Sequence, residues 1–500
     1  MSNILFLIIG GILLAYTFPP YNFSIFLYFS FIPFFLWLKE REGILKRIGG
    51  AFLFYFSFAI FISFPIYSLI ETSFFQYLTY PYLIDISLSI LVYLILIFFY
   101  SLPYLIYALG IPYFLKKGLE GIFLLSFEFA ILEYIFSSFF PNPFVLGYAV
   151  NIGWFSNLFS RSFGTSGLTF FIVFSNLFIL YLFLEKKNSK WFPYLFFGFL
   201  IFLIYVSFGS ILPNRNSQRY SIKDKKTINL LLVQKAIDFK RPDFFKELEE
   251  LIEYSNGFKT YHPDLVVWPE SAVPIRISKY PHIEKLIKKL PKKLGTYLVF
   301  GTYGESKDNG KYNQAIVFAP DGKTLKTYSK IKIIPFFEGP PNKTFLERKN
   351  YPFKDRNFIQ GKNFKLFAIK NKTFGLLICS EVLFPSMVRR LKREGMDILI
   401  VISNEASLPK MYSLLLLNIA KYRAQENGIF IVRVNTTGYS ALISPMGKVV
   451  KMLPYGKKGI LKVSIPIYSY QDTFYSKYGI TPIVLGFFFL VFRMLLRNIL

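Results

Sequence analysis

The chain has little of what metal and redox sites are built from. Cys379 is its single cysteine, so no intrachain disulfide can form and a cysteine-based zinc site is excluded. Only His262 and His282 are present, which argues against a histidine-rich metal site or a histidine-driven proton relay; no metal and no cofactor are expected. Acidic residues are also scarce: 30 Asp+Glu stand against 58 Lys+Arg in 500 residues, a net charge of +28. What is abundant is apolar, 53% of the chain, with 61 Phe. That combination argues against one ordinary soluble domain, and the apolar fraction argues against a disordered basic tail.

The two properties separate along the chain. Apolar runs fill the first 212 residues, and seven of them read as membrane helices, near 3–18, 23–38, 49–70, 84–113, 118–140, 165–185 and 190–212. Most approach the roughly 20 residues needed to cross a hydrocarbon core. The first two are short, and the fourth, with Pro103 and Pro112, is expected to kink or end early. The opening MSNILFLIIGGILLAYTFPP lacks the basic leader and small-residue cleavage site of a secretory signal, so it is kept as the first helix. One further apolar run, 479–499, reads as an eighth helix. The expected organisation is a membrane bundle over 1–212, an outer domain over 213–478 and a last transmembrane helix over 479–500.

Short-loop charges orient the bundle, because Lys and Arg are retained on the cytoplasmic side. Lys39, Arg41, Lys46 and Arg47 follow the second helix, Lys116 and Lys117 the fourth, and Lys186, Lys187 and Lys190 the sixth, all on one side. The seventh helix then delivers the large domain to the opposite, extracytoplasmic side, and the eighth returns to finish with Arg493 and Arg497. Asp85, Glu128 and Glu133 are the chief acids inside the bundle. Glu128 and Glu133 lie about 140° apart around a helix, so they form no single relay stripe; they read as buried or interfacial groups that orient helices.

After residue 212 the pattern changes to strand-like runs, INLLLVQ (228–234), DLVVWPE (264–270), YLVFGTYG (297–304), NQAIVFAP (313–320), FKLFAIK (364–370), FGLLICSE (374–381) and DILIVIS (397–403), alternating with helical stretches such as DFFKELEELIEYS. This is an α/β layered domain. Three strand-to-loop junctions stand out: Glu270 ends the second run, Lys330 sits in TYSKIKIIPFFEGP, and Cys379 ends FGLLIC before a helical stretch. A thiol becomes a nucleophile when a nearby carboxylate takes its proton, and a lysine can stabilise the oxyanion formed on an attacked carbonyl. A helix N-terminus after the cysteine would favour the thiolate. By type alone, a lone cysteine is more often a packing residue and a loop Lys or Glu a solvated one, and spacing does not bring the three together.

The surrounding words do more. WPESAVP (268–274), YSKIKIIPFFE (328–338) and CSEVLFP (379–385) occur in the order seen in the nitrilase superfamily, and the first and third resemble its membrane-bound branch, the apolipoprotein N-acyltransferase family. LLVQ (231–234), YNQA (312–315), YRAQENG (422–428), NTTGYSALISPMGKV (435–449), FPPYNFSIF (18–26) and FPNPFVLGYA (140–149) resemble that family too, so the likeness runs through nearly the whole chain. It implies a polytopic α-helical membrane bundle of about eight transmembrane helices joined to an extracytoplasmic nitrilase-like αββα sandwich. Carried over by position, it implies that Glu270 is the general base, Lys330 the oxyanion-stabilising lysine and Cys379 the nucleophile, with Glu338 and Glu381 as supporting acids. Lys332 is the rival to Lys330; Glu338 follows Lys330 by eight residues, as in the family. The alternative for Glu381 is a helix-start acid, and for Glu338 a solvated loop acid.

Two departures stand out. Ser380 occupies the place of the family's tyrosine, and Ser403-Asn404-Glu405-Ala406-Ser407-Leu408 replaces an Asn-Asp-Ala-Trp-like loop, so the substrate-contacting residues are not identified. The family's reaction would be a two-step acyl transfer in the bacterial cytoplasmic (inner) membrane, with the catalytic domain on the periplasmic side: from the sn-1 position of a phospholipid to the cysteine, then to the amine of a diacylglyceryl-modified apolipoprotein. The partners implied are those two substrates and membrane lipid, with the protein acting as a monomer. Phe336-Phe337 is a candidate apolar lid or core pair. The alternatives are a membrane-tethered amidase and a non-catalytic membrane binding or scaffold protein. Nucleic acid is not an expected partner despite a pI near 9.7, because no such motif is present. Residues 213–479 hold 46 Lys+Arg against 22 Asp+Glu and the rest only 12 against 8. The charge thus suits an anionic lipid surface, an attraction screened beyond roughly 8–10 Å.

Overall fold

The computed structural model describes residues 2–70, 82–184, 192–208, 226–236, 244–306, 310–334, 338, 358–467 and 472–499. The chain divides into two compact units, Met1–Gln218 with Thr473–Leu500, and Arg219–Asp472.

The first unit is helical: α1 (Ser2–Ala15), α2 (Ile32–Lys39), α3 (Ile44–Ile70), α4 (Tyr82–Leu115), α5 (Gly118–Phe139), α6 (Trp154–Leu184) and α7 (Phe192–Phe208). The short α12 (Phe474–Tyr478) and the final α13 (Thr481–Ile499) complete it. Four helices are long and apolar enough to cross a membrane, within α3, α4, α5 and α6, whereas Ile4–Ala15, Ser24–Lys39 and Tyr194–Ser207 are shorter apolar segments. The second expected span is broken: a short 3-10 turn, Ser24–Tyr28, precedes the eight-residue α2. The fourth does not end early, since α4 runs through both Pro103 and Pro112; such prolines are tolerated where neighbouring helices re-satisfy the freed backbone. The sixth begins about ten residues before the apolar run, and its two parts meet at Gly164, whose φ of 70° and ψ of −172° are not helical. A Cβ there would stand 2.4 Å from the Tyr475 ring, so only glycine admits that close approach.

Polar groups inside this unit tie helices together. Glu133, buried on α5, accepts from the Leu146 N–H at 2.9 Å and the Thr169 hydroxyl of α6 at 2.5 Å. Asn176 of α6 accepts from Phe31 N–H at 3.0 Å and donates to Leu27 C=O at 2.7 Å. Glu133 therefore orients helices, as its isolation in an apolar sequence suggests. Glu128 is half-buried, with one carboxylate oxygen lacking a hydrogen-bond partner among the described residues. The Asp85 side chain and the loop lysines 186, 187 and 190 lie outside the described residues.

The second unit is a sandwich of two sheets. The larger is ordered β13-β1-β2-β4-β5-β6, with β3 added on β4. Its strands are β1 (Thr227–Gln234), β2 (Leu265–Val267), β3 (Val273–Arg276), β4 (Tyr297–Glu305), β5 (Lys311–Phe318), β6 (Thr324–Ser329) and β13 (Gly459–Pro466). The other is ordered β12-β11-β10-β9-β8-β7. Its strands are β7 (Leu366–Ile369), β8 (Lys372–Ile378), β9 (Ile398–Ser403), β10 (Phe430–Asn435), β11 (Ser440–Ile443) and β12 (Val449–Leu453). Helices α8 (Phe244–Asn256) and α9 (Pro281–Leu294) bury Leu248, Leu251, Ile283, Ile287 and Leu290 against Val266, Trp268 and Phe300 of the first sheet. Helices α10 (Pro385–Arg393) and α11 (Lys410–Asn427) accompany the second sheet. Central β9 is buried at every position, which explains its unbroken apolar sequence. Strands β8, β9 and β10 run parallel, as do β1, β2 and β4, so their carboxyl ends point one way within each sheet.

Candidate active site

Chemistry collects just beyond the carboxyl ends of strands, where a rigid strand ends and side chains leave the ladder. Glu270 follows β2 by three residues, Lys330 follows β6 directly, Cys379 follows β8 directly, and Asn404 follows β9 directly. The first two come from the larger sheet and the last two from the smaller.

Glu270 is 5% exposed and fully engaged. The Asn313 side-chain amide of β5 donates to its Oε1 at 2.6 Å, and the Asn404 backbone N–H donates to its Oε2 at 2.6 Å. Close packing beneath it requires Gly301, because a Cβ there would meet the Glu270 Cα at 2.6 Å. Burial pushes the carboxyl above its ordinary value, against the opposing effect of Lys330.

Lys330 is completely buried and its ammonium is ion-paired with Glu338. Glu338 is held in turn by the Ile334 N–H on its Oε2 at 3.0 Å. Burial disfavours the Lys330 charge, but Glu338, the Cys379 sulfur and Glu270 outweigh it and the lysine stays protonated. Lys332 lies elsewhere, its ammonium over the Phe384 ring at 5.1 Å. Of the two candidate lysines, Lys330 is the one facing Glu270 and Cys379.

Cys379 is half-buried and adopts φ of 53°, the left-handed region that non-glycine residues enter at a cost of about 1–3 kcal/mol. The strand thus turns sharply at the thiol. A short 3-10 turn, Cys379–Leu383, follows, pinned by Arg423 Nε on Val382 C=O at 3.1 Å. The expectation that a helix N-terminus would favour the thiolate is corrected here. Burial pushes the thiol well above its ordinary value, the Glu270 charge adds to that, and Lys330 only opposes it. The resting sulfur is a thiol and needs a base.

Glu381 is neither a simple helix-start acid nor solvated. It is fully buried and accepts from Tyr328 OH at 2.8 Å, Ile331 N–H at 2.7 Å, Lys332 N–H at 3.1 Å and Ile378 N–H at 2.8 Å. It stitches the Lys330 loop to the Cys379 loop. Ser380 is buried, its hydroxyl lacking a partner among the described residues. Phe336 and Phe337 lie outside the described residues.

A thiol, a desolvated carboxylate and a buried ammonium whose charges act on one another permit proton transfer from sulfur to oxygen together with stabilisation of a developing oxyanion. Comparison with known proteins agrees with this constellation. A family profile described as carbon-nitrogen hydrolase matches residues 232–475, and one described as apolipoprotein N-acyltransferase N-terminal domain matches residues 10–178. The chain belongs to the apolipoprotein N-acyltransferase family. It is 28% identical over 336 residues to apolipoprotein N-acyltransferase 2 of Treponema denticola, an alignment covering 61% of each chain. It is 31% identical to the Aquifex aeolicus apolipoprotein N-acyltransferase over 46% of this chain and 52% of that one. These first alignments thus span less than two thirds of the relatives' own length. Apolipoprotein N-acyltransferase 1 of Treponema denticola aligns over 99% of this chain and 97% of its own, at 25% identity. Among solved structures, an amidase from Nesterenkonia sp. is 21% identical with a TM-score of 0.40, covering 49% of this chain and 92% of that one.

Seen as an N-acyltransferase family member, the chain carries site residues that its motifs did not single out. Asn313 lies inside YNQA and Tyr328 opens YSKIK, yet their roles appear only as hydrogen bonds to acids 43 and 53 residues away. Asn404 acts through its backbone, which no residue type reveals.

Proposed function

We propose that the protein N-acylates the diacylglyceryl-cysteine at the N-terminus of bacterial apolipoproteins, taking the sn-1 acyl chain of a phospholipid through a thioester on Cys379. The carrying observation is that Glu270, Lys330 and Cys379 leave strand ends together in one buried site in which the thiol is protonated and a desolvated carboxylate stands ready as its base.

In the first half-reaction Glu270 takes the thiol proton as sulfur attacks the ester carbonyl. Lys330 stabilises the oxyanion, the tetrahedral intermediate collapses to the thioester, and the proton on Glu270 passes to the departing lysophospholipid oxygen. In the second, the α-amine of the acceptor attacks the thioester, Glu270 removes a proton from it, and the thiol leaves reprotonated. One site serves two bulky lipids in turn, which gives ping-pong kinetics. Glu338 holds Lys330, and Glu381 holds the two loops in register. The membrane unit supplies hydrocarbon chains from the bilayer; in this reading eight helices cross the inner membrane and residues 213–478 work on its periplasmic face.

The test is mass spectrometry of the purified full-length protein after incubation with a defined phospholipid. An acyl thioester on Cys379, discharged by a diacylated lipopeptide amine, is expected. A thioester that persists in Cys379→Ala, or ammonia release from small amides with no transfer to an amine, would sink the proposal, the latter in favour of a membrane-tethered amidase.

A further inference from the structure

The loop 403–408, where the chain departs from the family's sequence pattern, contains a buried ion pair that no motif announced. Glu405 and Arg433 are both buried and joined to each other. Glu405 also accepts from the Ser413 hydroxyl of α11 at 2.5 Å. Arg433, on β10, reaches Tyr439 C=O at 3.3 Å, and Asn435 Nδ2 reaches the same carbonyl at 3.0 Å. Gly438 is obligatory beside them, since a Cβ there would fall 2.1 Å from Glu405 Oε2. The neighbouring residue is clamped as well. Thr436 donates its hydroxyl to Asn404 Oδ1 at 2.8 Å and its N–H to Ser403 C=O at 3.1 Å. The single group this turn sends toward the thiol's partner is the Asn404 N–H, 2.6 Å from Glu270 Oε2.

We infer that the Glu405–Arg433 pair is a positioning device: it fixes the 403–408 turn on β10 so that the Asn404 N–H is aimed at Glu270. Neither residue is catalytic. The inference deepens the acyl-transfer reading and rests on Glu270 acting as the base. A buried pair is costly to desolvate and adds little net stability over an apolar pair, so its retention in the turn next to the site is explained by geometry. The Asn404 N–H holds the Glu270 carboxylate in its ionised form against burial. The charged and titratable groups around Glu270 are Lys330 and Glu338, with Cys379; those around Glu405 are Arg433, Tyr439 and Tyr455, and its charge reaches Cys379.

Cys379 is the only thiol, so whole-protein alkylation by iodoacetamide in detergent micelles reports it alone, without any lipid substrate. Base-assisted alkylation needs ionised Glu270, so the acid limb of its pH–rate profile, identified by its loss in Glu270→Gln, follows Glu270. In Glu405→Gln/Arg433→Gln the pair stays neutral overall and no lone charge is buried, so a shifted limb reads geometry. The limb is expected to move upward by about half a pH unit or more, roughly a threefold loss of rate at a fixed pH on it. Arg433→Lys should return it most of the way. Thr436→Val, which deletes only the hydroxyl on Asn404, should move it in the same direction and carries the test if the double variant does not fold. An unchanged limb in a folded double variant, or in Thr436→Val should the double not fold, overturns the positioning role. Thioester formation, measured separately with phospholipid, decides the acyl-transfer reading.

Discussion

The Tyr328 phenol donates to both carboxylate oxygens of Glu381, each at 2.8 Å, across 53 residues of sequence. With three backbone N–H groups on the same carboxylate, this places Glu381 at the seam between the two sheets. Tyr328→Phe should cost about 1 kcal/mol of stability, one hydrogen bond among several. Glu381→Ala should cost about 3 kcal/mol, because it strips the acceptor from buried N–H groups. Thermal unfolding of the purified protein checks both, and equal effects would show that Glu381 is not the shared anchor.

The pH dependence of thioester formation follows from Glu270. Burial raises its carboxyl above the ordinary 4.5, and only the ionised form accepts the thiol proton. The rate should therefore fall as pH drops through a midpoint above 4.5. Single-turnover acylation by phospholipid across pH 4 to 8 measures that midpoint, and Asn313→Ala, which removes one donor to Glu270 Oε1, should shift it further upward.

Lys330→Met tests the cation. Its charge is the influence that pulls the Cys379 thiol downward, so its loss should leave the thiol higher still and slow iodoacetamide alkylation at neutral pH. Thioester formation should fall by roughly 10²–10³, the range for loss of an oxyanion-stabilising donor. Lys332→Met, whose ammonium lies over Phe384, should leave both measurements close to the parent protein.

Gly164→Ala probes the helical unit. The residue combines φ of 70° with a 2.4 Å approach to Tyr475, so the added methyl meets both backbone strain and a ring. A loss of about 2 kcal/mol is expected, seen as a lowered unfolding temperature and a smaller folded fraction in detergent. A neutral result would mean that the two parts of α6 need no break there.

Much of this was legible in the chain because strand interiors are apolar and the words around Glu270, Lys330 and Cys379 are specific. Buried strands such as β1, β8 and β9 announced themselves as apolar runs. Strands β6 and β12 did not, since TLKTYS and VVKML carry lysines and lie largely exposed at sheet edges. The first part of α6 was obscured by Asn157, Ser160 and Arg161, which break its apolar pattern. The site was legible as residue types but not as contacts. Asn404 meets Glu270 from 134 residues away through a backbone N–H, and Arg433 meets Glu405 from 28 away. The direction of the Cys379 shift also had to come from the structure, because it depends on burial rather than on the helical stretch that follows.

The nucleophile belongs to one sheet and its base and cation to the other. A chain in which only one sheet has formed carries an ordinary thiol or an idle carboxylate, and neither attacks an ester. Reactivity is therefore switched on by the last act of folding, the closing of the sandwich, so a nascent chain still surrounded by the very lipids it would cleave is chemically silent until it is whole.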